Sequence, residues 1–483
     1  MIAFKLQKLS QLDSKVQILP GANASQTDVT AVETDSRKPC AGALFIALKG
    51  ERFDGHRFVQ VAAKQGAAML GIAADFYAQE KALCTKLQQS GHSLVIAPDT
   101  QRLLGLCALA VRQQSTAKVV ALSGSCGKTT VKEMTAAILS KCGRVLYTQG
   151  NFNNDIGVPL TLLRLTPQID FAVIEQGASH RGDLARTCEF VQAQSALITN
   201  VGQAHIEGFG SPEGVYLGKR ELIEDVAQRG GIGIVPACGN FATNFAHDFA
   251  AMLHKGRLWT FGEACVSPQA EVTYKLHQAS PAGISFTLNI RGQELTLNLP
   301  ILGAHNAANA AAAAALALSV GADINAIKDG LESCQTLPGR LQRVELPGIT
   351  VLDDAYNASF NAMLAGIATL GEFKDARRIL VLGDMGELGS KAQDLHRQVG
   401  LAACGQCELL LTQGPLTTLT HEAFQGRKAH FASQAELCAA LAKELDDAAK
   451  VGAHCCVLIK GSHSMHMDRV SDFLQRRSHA AQA

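Results

Sequence analysis

A glycine-rich run at residues 124–130 is the strongest chemical signal in the sequence. It follows an apolar run, 118–123, that predicts a buried strand, and it opens a run, 128–142, that predicts a helix. Glycines let backbone N–H groups turn toward an anion, and a helix N-terminus adds partial positive charge. In this context the run predicts a phosphate-binding loop for ATP, with Lys128 on the β- and γ-phosphates and Thr129 on Mg²⁺. Its members are Gly124, Ser125, Cys126, Gly127, Lys128, Thr129 and Thr130.

The spacing of this loop is unusual, because two residues separate its glycines where the general pattern has four. A chance glycine turn is the alternative interpretation. The strand before the loop and the helix after it argue against that alternative.

Three further side chains are candidates for the same site. Glu175 ends the strand predicted over 171–175, and strand C-termini of a parallel sheet face the ligand crevice. His205 follows the next predicted strand, 196–200, although histidine is an unusual ligand for Mg²⁺. Lys219 lies in a helical run, where a lone lysine is ordinarily solvent-facing. These residues indicate an enzyme that uses ATP and Mg²⁺, and they leave the reaction open because kinases, helicases, GTPases and ligases share such a loop.

Composition limits the class of protein. A length of 483 residues predicts two to four domains, and three fits best. Lys and Arg number 44 against 43 Asp and Glu, so no positive field exists to hold nucleic acid. The 14 cysteines are scattered, which predicts free thiols and a cytoplasmic location. No run reaches the ~20 apolar residues of a membrane span, so no membrane insertion is expected.

Alternating strand-like and helix-like runs predict an α/β chain in three blocks. Breaks near Pro98 and Pro338 divide it into residues 1–100, 101–333 and 334–483. The central block predicts a mostly parallel sheet with an antiparallel β insert over 272–299, where polar and apolar residues alternate. The last block predicts a smaller, Rossmann-like sheet.

In their order along the chain, these motifs resemble those of the ATP-dependent Mur ligase family. The resemblance extends over essentially the whole sequence and rests on the phosphate loop, VIEQGA at 173–178, NVGQAH at 200–205, Lys219, GAHNAAN at 303–309, PGR at 338–340, DDAYN at 353–357, KGS at 460–462, and TDSR at 34–37 with FIALKGERFDG at 45–55. It implies a UDP-sugar substrate-binding domain at 1–100, a central ATP-binding P-loop domain at 101–333 and a C-terminal Rossmann-like domain at 334–483.

Four longer runs are most similar to family members that add a dipeptide: KTTVKEMTAAIL at 128–139, NFNNDIGVPLT at 151–161, AHIEGFGS at 204–211 and LGDMGELG at 382–389. The resemblance therefore implies an ADP-forming amide ligase that joins D-alanyl-D-alanine to UDP-N-acetylmuramoyl-tripeptide through an acyl phosphate. That activity belongs to cytoplasmic peptidoglycan precursor synthesis, and so to cell wall biogenesis, cell shape, cell division and the cell cycle. The third residue of the tripeptide stays open between diaminopimelate and lysine.

The sequence leaves alternatives to this reaction open. A sibling ligase would add one amino acid, and a folate or cyanophycin-type ligase would use another acceptor. The UDP-type N-terminal block argues against folate, and the run at 151–161 favours the dipeptide. A small-molecule kinase would transfer phosphate without an amine acceptor, and a nucleotide-binding scaffold would not turn over.

The resemblance also assigns roles to individual residues. It implies that Lys128, Glu175, His205 and Lys219 are catalytic, that Thr129, Glu175 and His205 bind Mg²⁺, and that Lys219 does so as a carbamate. Expected ATP contacts outside the loop are His305, Asn306, Arg340 and Asp354. Expected substrate contacts are Ser36, Arg37, Asp54, Asn153, Asn154 and Asn357. His463 stands where the family usually has arginine. A monomer is expected.

Overall fold

The computed structural model describes residues 1–22, 28–50 and 53–482. Glu51 and Arg52, part of the motif at 45–55, lie outside the described residues. Three mixed sheets follow one another along the chain, each flanked by helices, and a small two-stranded sheet joins β1 (Phe4–Lys5) to β3 (Asp28–Val29). The α/β architecture predicted from the sequence is confirmed.

The first sheet has five strands in the order β2-β7-β6-β5-β4. Its strands are parallel except β2, which pairs antiparallel with β7. In chain order the remaining elements here are α1 (Lys8–Leu12), β2 (Gln17–Leu19), β4 (Val32–Glu33), β5 (Leu44–Ile46), a 3₁₀ turn (Gly55–Phe58), α2 (Val59–Lys64), β6 (Met69–Ala73), α3 (Ala74–Gln79), α4 (Lys81–Gln89) and β7 (Ser93–Ala97).

The central sheet has nine strands in the order β16-β15-β14-β13-β12-β11-β8-β10-β9. Its elements are α5 (Thr100–Arg112), β8 (Lys118–Ser123), α6 (Lys128–Leu139), β9 (Val145–Tyr147), α7 (Gly157–Leu162), β10 (Phe171–Glu175), α8 (Asp183–Val191), β11 (Ser195–Ile198), α9 (Ile206–Phe209), α10 (Pro212–Gln228), β12 (Ile232–Pro236), α11 (Ala242–Asp248), α12 (Ala250–His254), β13 (Leu258–Glu263), β14 (Val272–Ser280), β15 (Gly283–Ile290), β16 (Gln293–Leu299), α13 (His305–Leu318) and α14 (Ile324–Glu332).

The antiparallel insert predicted in this sheet is confirmed, because β15 pairs antiparallel with both β14 and β16. The insert joins the parallel part of the sheet through β14, which runs parallel to β13. Helix α5 ties the central sheet to the first one: its Leu103 packs against Gly71 of β6, and its Gly105 packs against Phe190 of α8. One hydrophobic core therefore continues from the N-terminal sheet into the central block.

The third sheet has six strands in the order β17-β18-β22-β19-β20-β21, and all are parallel except β17. Its elements are β17 (Gln342–Leu346), β18 (Ile349–Asp354), α15 (Phe360–Gly371), β19 (Arg377–Gly383), a 3₁₀ turn (Gly389–Lys391), α16 (Ala392–Ala403), β20 (Leu409–Gln413), α17 (Thr417–Ala423), β21 (Arg427–Phe431), α18 (Gln434–Lys450), β22 (Cys455–Lys460), a second 3₁₀ turn (His463–Met465) and α19 (Asp468–Gln482).

The carboxyl ends of two sheets face each other across a cleft. Loops after β8, β10 and β11 line it from the central sheet, and loops after β18, β19 and β22 line it from the third sheet. Ligands of parallel α/β sheets bind at such carboxyl ends. Within the described ranges, no helix has the length and apolar character needed to cross a membrane.

Candidate active site

The cleft between the central and third sheets has a volume of about 700 Å³. Of the residues predicted for the site, those that line it are Ser125, Cys126, Gly127, Lys128, Thr129, Asn153, Asn154, Glu175, His205, Arg340 and Asn357. The fold thus brings together loops that are more than 200 residues apart in the sequence.

The phosphate loop adopts the conformation that its glycines predict. Gly124 and Gly127 have φ of 148° and 78°, and a Cβ on Gly127 would lie 2.6 Å from Oδ1 of Asn309. The Nζ of Lys128 donates a hydrogen bond to the carbonyl oxygen of Gly124 at 2.8 Å, so the lysine folds back over the loop. Burial lowers the pKa of Lys128, which an anion in the loop would oppose.

Asn200 braces this loop from the next strand. Its Oδ1 accepts a hydrogen bond from the N–H of Cys126, and its Nδ2 donates one to the carbonyl oxygen of Cys126, both at 3.0 Å. The strand predicted to run to Asn200 ends at Ile198 instead, which releases Asn200 from the sheet ladder. Sequence reasoning assigned Asn200 no role, although its motif signalled the position.

Glu175 has an environment suited to a hard cation. Its Oε1 accepts a hydrogen bond from Nδ2 of Asn153 at 2.8 Å and a longer one, of 3.5 Å, from the hydroxyl of Thr129. Its Oε2 is buried and has no hydrogen-bond partner among the described residues. Carboxylate and hydroxyl oxygens are ligands that Mg²⁺ prefers, so Glu175 and Thr129 fit that ion.

A protein-only metal cage is nevertheless absent from the described residues, because they hold no group of three His, Cys, Asp or Glu side chains able to bind a metal. Mg²⁺ is commonly held by one or two carboxylates together with substrate phosphates. The donor set here fits that arrangement, in which ATP itself completes the coordination.

Lys219 is fully buried, so the sequence-based expectation of a solvent-facing lysine is wrong. Helix α10 turns this side chain inward, where Nζ donates a hydrogen bond to the carbonyl oxygen of Ala178 at 3.2 Å. The ring centre of Phe209 lies 5.3 Å from Nζ. Burial, together with the positive charge of Lys128, lowers the pKa of Lys219 to about 7. A large fraction of this amine is therefore neutral near pH 7.

His205 lies at the start of α9 and pairs with a residue of the third sheet. Its Nδ1 is 2.5 Å from Oε2 of Glu387, and the hydroxyl of Ser179 is 3.5 Å from the same nitrogen. Glu387 lies in the run 382–389, which resembles family members that add a dipeptide, but the sequence assigned this residue no role.

A second cavity, of about 300 Å³, adjoins the phosphate loop and is lined by Thr130, Asn306 and Arg340. The Nδ2 of Asn306 donates to the carbonyl oxygen of Leu302 at 2.8 Å. The guanidinium of Arg340 lies 4.2 Å from the ring centre of Tyr356, and its Nη2 is 3.4 Å from the hydroxyl oxygen of Thr129. Arg340 lines both cavities, which suits a residue that contacts a nucleotide along its length.

Several predicted contacts lie away from both cavities. Asp354 is buried and accepts a hydrogen bond from Nζ of Lys460 at 2.6 Å and one from the N–H of Leu341 at 3.1 Å. His305 is exposed at the start of α13 and does not line either cavity.

The predicted contacts in the first domain are likewise not among the residues that line the cavities. Arg37 is exposed and pairs with Asp35, and Ser36 is next to it. The Oδ1 of Asp54 accepts the N–H of His56 at 3.0 Å at the start of a 3₁₀ turn. In this structure Ser36, Arg37 and Asp54 line neither cavity.

Further residues that line the main cleft have no role assigned from the sequence. Among them are Ser179, Asp183, Arg186, Tyr356, Ser359 and Ser462. The hydroxyl of Ser359 lies 2.9 Å from the thiol sulfur of Cys126 and so joins the third sheet to the phosphate loop. His463, which the sequence left without a role, also lines the cleft, with its ring centre 5.9 Å from that of Tyr356.

Comparison with known proteins agrees with this geometry. Three family models match in succession: "Mur ligase family, catalytic domain" over residues 28–121, "Mur ligase middle domain" over 122–317 and "Mur ligase, glutamate ligase domain" over 339–463. The UDP-N-acetylmuramoyl-tripeptide–D-alanyl-D-alanine ligase of Escherichia coli (strain K12) is 42% identical, over 93% of this chain and 94% of its own length.

Solved structures match the fold as well. MurF from Acinetobacter baumannii is 30% identical with a TM-score of 0.86, and the match covers 98% of this chain and 99% of that one. MurF from Thermotoga maritima, solved in complex with ADP, has a TM-score of 0.79 at 23% identity, covers 93% and 98% of the two chains, and supports the fold alone. The chain, with its three sheets and its cleft at the phosphate loop, belongs to the Mur ligase family.

Proposed function

We propose that this protein is an ATP-dependent, ADP-forming ligase that joins D-alanyl-D-alanine to UDP-N-acetylmuramoyl-tripeptide in peptidoglycan precursor synthesis. One observation carries the proposal: the phosphate loop, the unpartnered oxygen of Glu175 and the substrate-side amides Asn153 and Asn154 line one cleft. The relatives reported above, which are named for this reaction and match nearly the full length, support it.

The first step activates a carboxylate. An oxygen of the tripeptide's terminal carboxylate attacks the γ-phosphorus of ATP, and the bond from that phosphorus to the β–γ bridging oxygen breaks. The products are an acyl phosphate and ADP. Two anions meet here, so positive groups must offset their repulsion. Lys128 and the N–H groups of the loop neutralise the phosphates, and Arg340 adds charge from the third sheet.

The second step forms the amide. The neutral amine of D-alanyl-D-alanine attacks the acyl carbonyl carbon and gives a tetrahedral intermediate. That intermediate expels inorganic phosphate and loses a proton from nitrogen. Water would hydrolyse the acyl phosphate, so the site must exclude it during this step. The contact of Ser359, in the loop before α15, with Cys126 of the phosphate loop supports such exclusion of water.

We assign Mg²⁺ to Thr129 and Glu175, and a second ion to His205 and Lys219. Bound there, Mg²⁺ would offset the negative charge of the phosphates and polarise the phosphorus–oxygen bond. For Lys219 we propose carbamylation, because a neutral amine reacts with CO₂ and the pKa of about 7 keeps that form abundant. The resulting carbamate would convert a buried cation into an oxygen ligand.

The remaining assignments also belong to this proposal. We assign residues 1–100 to UDP-sugar binding, 101–333 to ATP binding and 334–483 to closure over the site. Ser36, Arg37 and Asp54 would contact the UDP end, and Asn357 the peptide. His305, Asn306 and Asp354 would contact the adenosine, which for Asp354 requires a rearrangement of its Lys460 contact. A monomer and a cytoplasmic location stay predictions from the sequence.

The test is phosphate release from ATP and Mg²⁺ with UDP-N-acetylmuramoyl-tripeptide, with and without D-alanyl-D-alanine. The proposal expects turnover that needs both substrates, and a product heavier by one dipeptide minus water. Turnover without an amine acceptor would indicate a kinase instead. Turnover only with a single amino acid would indicate a sibling ligase that adds one residue. A comparison of tripeptides that carry lysine or diaminopimelate at the third position would identify which of the two is the preferred substrate.

A further inference from the structure

Two residues in the left-handed backbone conformation meet across the main cleft. His205, with φ of 57°, precedes α9 on the central sheet, and Glu387, with φ of 59°, lies in the loop after β19 on the third sheet. Nδ1 of His205 lies 2.5 Å from Oε2 of Glu387. The N–H of Glu207 also donates to the carbonyl oxygen of Glu387 at 3.3 Å. Residues other than glycine rarely adopt this conformation, so both loops must be held by their surroundings.

The loop that carries Glu387 is fixed by its own domain. Oδ1 of Asp384 accepts a hydrogen bond from the N–H of Thr417 at 2.8 Å, at the start of α17. Nε2 of His396 accepts one from the N–H of Met385 at 3.1 Å. Neither anchor belongs to the central sheet. Glu387 is therefore presented to His205 by the third domain as a preformed element.

The contact determines which nitrogen of His205 is free. An ionised carboxylate only accepts hydrogen bonds, so Nδ1 carries the proton that faces Glu387. In the neutral ring, Nε2 is then the nitrogen whose lone pair can bind a metal. Histidines that bind metals generally donate their other N–H to a carboxylate or carbonyl in this way.

We propose that Glu387 is a positioning residue that orients His205 as a metal ligand, and that this makes metal binding dependent on closure of the third domain. The inference rests on the proposed function, which places His205 on the second ion. Because Glu387 and His205 lie on different domains, their contact forms only when the domains approach. Linkage then requires that the ion favours closure as much as closure favours the ion.

Binding of Mn²⁺ tests the first half of this inference. The full chain is titrated with Mn²⁺ in the presence of a non-hydrolysable ATP analogue, and free Mn²⁺ is followed by electron paramagnetic resonance. We expect Glu387→Ala to lower the affinity for one of two bound Mn²⁺ ions by about 10- to 100-fold and to leave the affinity for the other unchanged. Glu387→Gln keeps an oxygen that accepts the Nδ1 proton, so it restores most of that affinity. Equal binding of both ions by wild type and Glu387→Ala would overturn the inference.

Glu207→Gln is the matched control. Glu207 is an exposed carboxylate two residues from His205, and its loss changes local charge without removing the paired carboxylate. This variant is expected to bind both ions as wild type does. If Glu207→Gln lowers the affinity for one ion as much as Glu387→Ala does, the loss of affinity comes from the change in local charge, and the positioning role of Glu387 is wrong.

Small-angle X-ray scattering tests the second half. With the analogue present, Mn²⁺ is expected to reduce the radius of gyration of wild type and Glu207→Gln, and to reduce that of Glu387→Ala less. Equal compaction in all three would overturn the coupling. Thermal unfolding verifies that each variant is folded. If Glu387→Ala is not folded, Glu387→Met, which also lacks an oxygen that accepts the Nδ1 proton, carries the comparison. These readouts need no dipeptide ligation, so inactivity of wild type in the ligation assay would contradict the proposed function separately.

Discussion

The side-chain amide of Asn153 donates a hydrogen bond to Oε1 of Glu175 over 2.8 Å, and the second carboxylate oxygen of Glu175 is buried without a partner in the part of the chain that the structure describes. Leaving a buried carboxylate oxygen unpaired costs free energy. A bound cation would remove that cost. The Asn153–Glu175 pair therefore holds Oε1, which also accepts a long hydrogen bond from Thr129 of the phosphate loop, and leaves Oε2 available.

Replacement of this oxygen gives the first prediction. Glu175→Gln is expected to lower kcat/KM by about 100-fold or more, because a metal ligand contributes several kcal/mol to stabilising transition-state charge. The rate of phosphate release measured against Mg²⁺ concentration checks this. Thermal stability should not fall, since the variant removes a buried unpaired charge. An unchanged Mg²⁺ dependence would exclude Glu175 as a ligand.

Lys219 gives the second prediction. Lys219→Ala is expected to lose most activity, because the proposed carbamate would be gone. Short carboxylates added to the assay should restore part of the phosphate release by occupying the space of the carbamate. Lys255→Ala, which removes an exposed lysine of the same domain, is the control and should behave as wild type. Full activity of Lys219→Ala without any carboxylate would remove Lys219 from the mechanism.

The pKa of Lys219 predicts a dependence of stability on pH. The native pKa is about 7 and the ordinary value is 10.5, so between these values the unfolded state binds more protons than the native state. The contribution of Lys219 to the free energy of unfolding therefore rises with pH across that window, by at most about 1.4 kcal/mol per pH unit. This contribution is lowest below pH 7. Lys219→Met lacks this dependence and should exceed wild type in stability most clearly at pH 7.

Fluorescence of Trp259 measures this difference, because it is the only tryptophan of the chain and lies in the same sheet domain as Lys219. Unfolding by denaturant is followed at pH 7 and pH 9 in CO₂-free buffer for both proteins. The stability advantage of Lys219→Met should be smaller at pH 9. An advantage that grows with pH would show that the native amine is not neutralised by burial.

Gly127 gives the fourth prediction. Gly127→Ala is expected to weaken ATP binding by about 10-fold or more, because the new Cβ would lie 2.6 Å from Asn309 in addition to the strain of a positive φ. Gly348→Ala is the matched control, since Gly348 has φ of 74° in a remote turn with nothing within 4 Å. Calorimetric titration with the ATP analogue compares them. Similar affinities for the two variants would mean that the loop does not bind the phosphates.

Local pattern sufficed for the parts of the site that are continuous in sequence. The phosphate loop was predictable because an apolar strand, closely spaced glycines and a helix occupy fewer than 30 residues. Glu175 was predictable because a strand-end residue lies at the ligand edge of a parallel sheet. The antiparallel insert followed from alternation along 272–299. Roles for His205 and Lys219 came only from resemblance to the family.

Tertiary structure decided the rest. The inward direction of Lys219 depends on which face of α10 packs against the sheet, and spacing around one lysine does not specify that face. The pairing of His205 with Glu387 and the enclosure of Asp354 by Lys460 join residues more than 100 positions apart. The first contact follows from how the central and third sheets are placed against each other, and the second follows from the pairing of β18 with β22 within the third sheet. The sequence by itself determined the phosphate loop and the α/β class, and packing within and between domains determined which charged side chains are buried, paired or left free to bind.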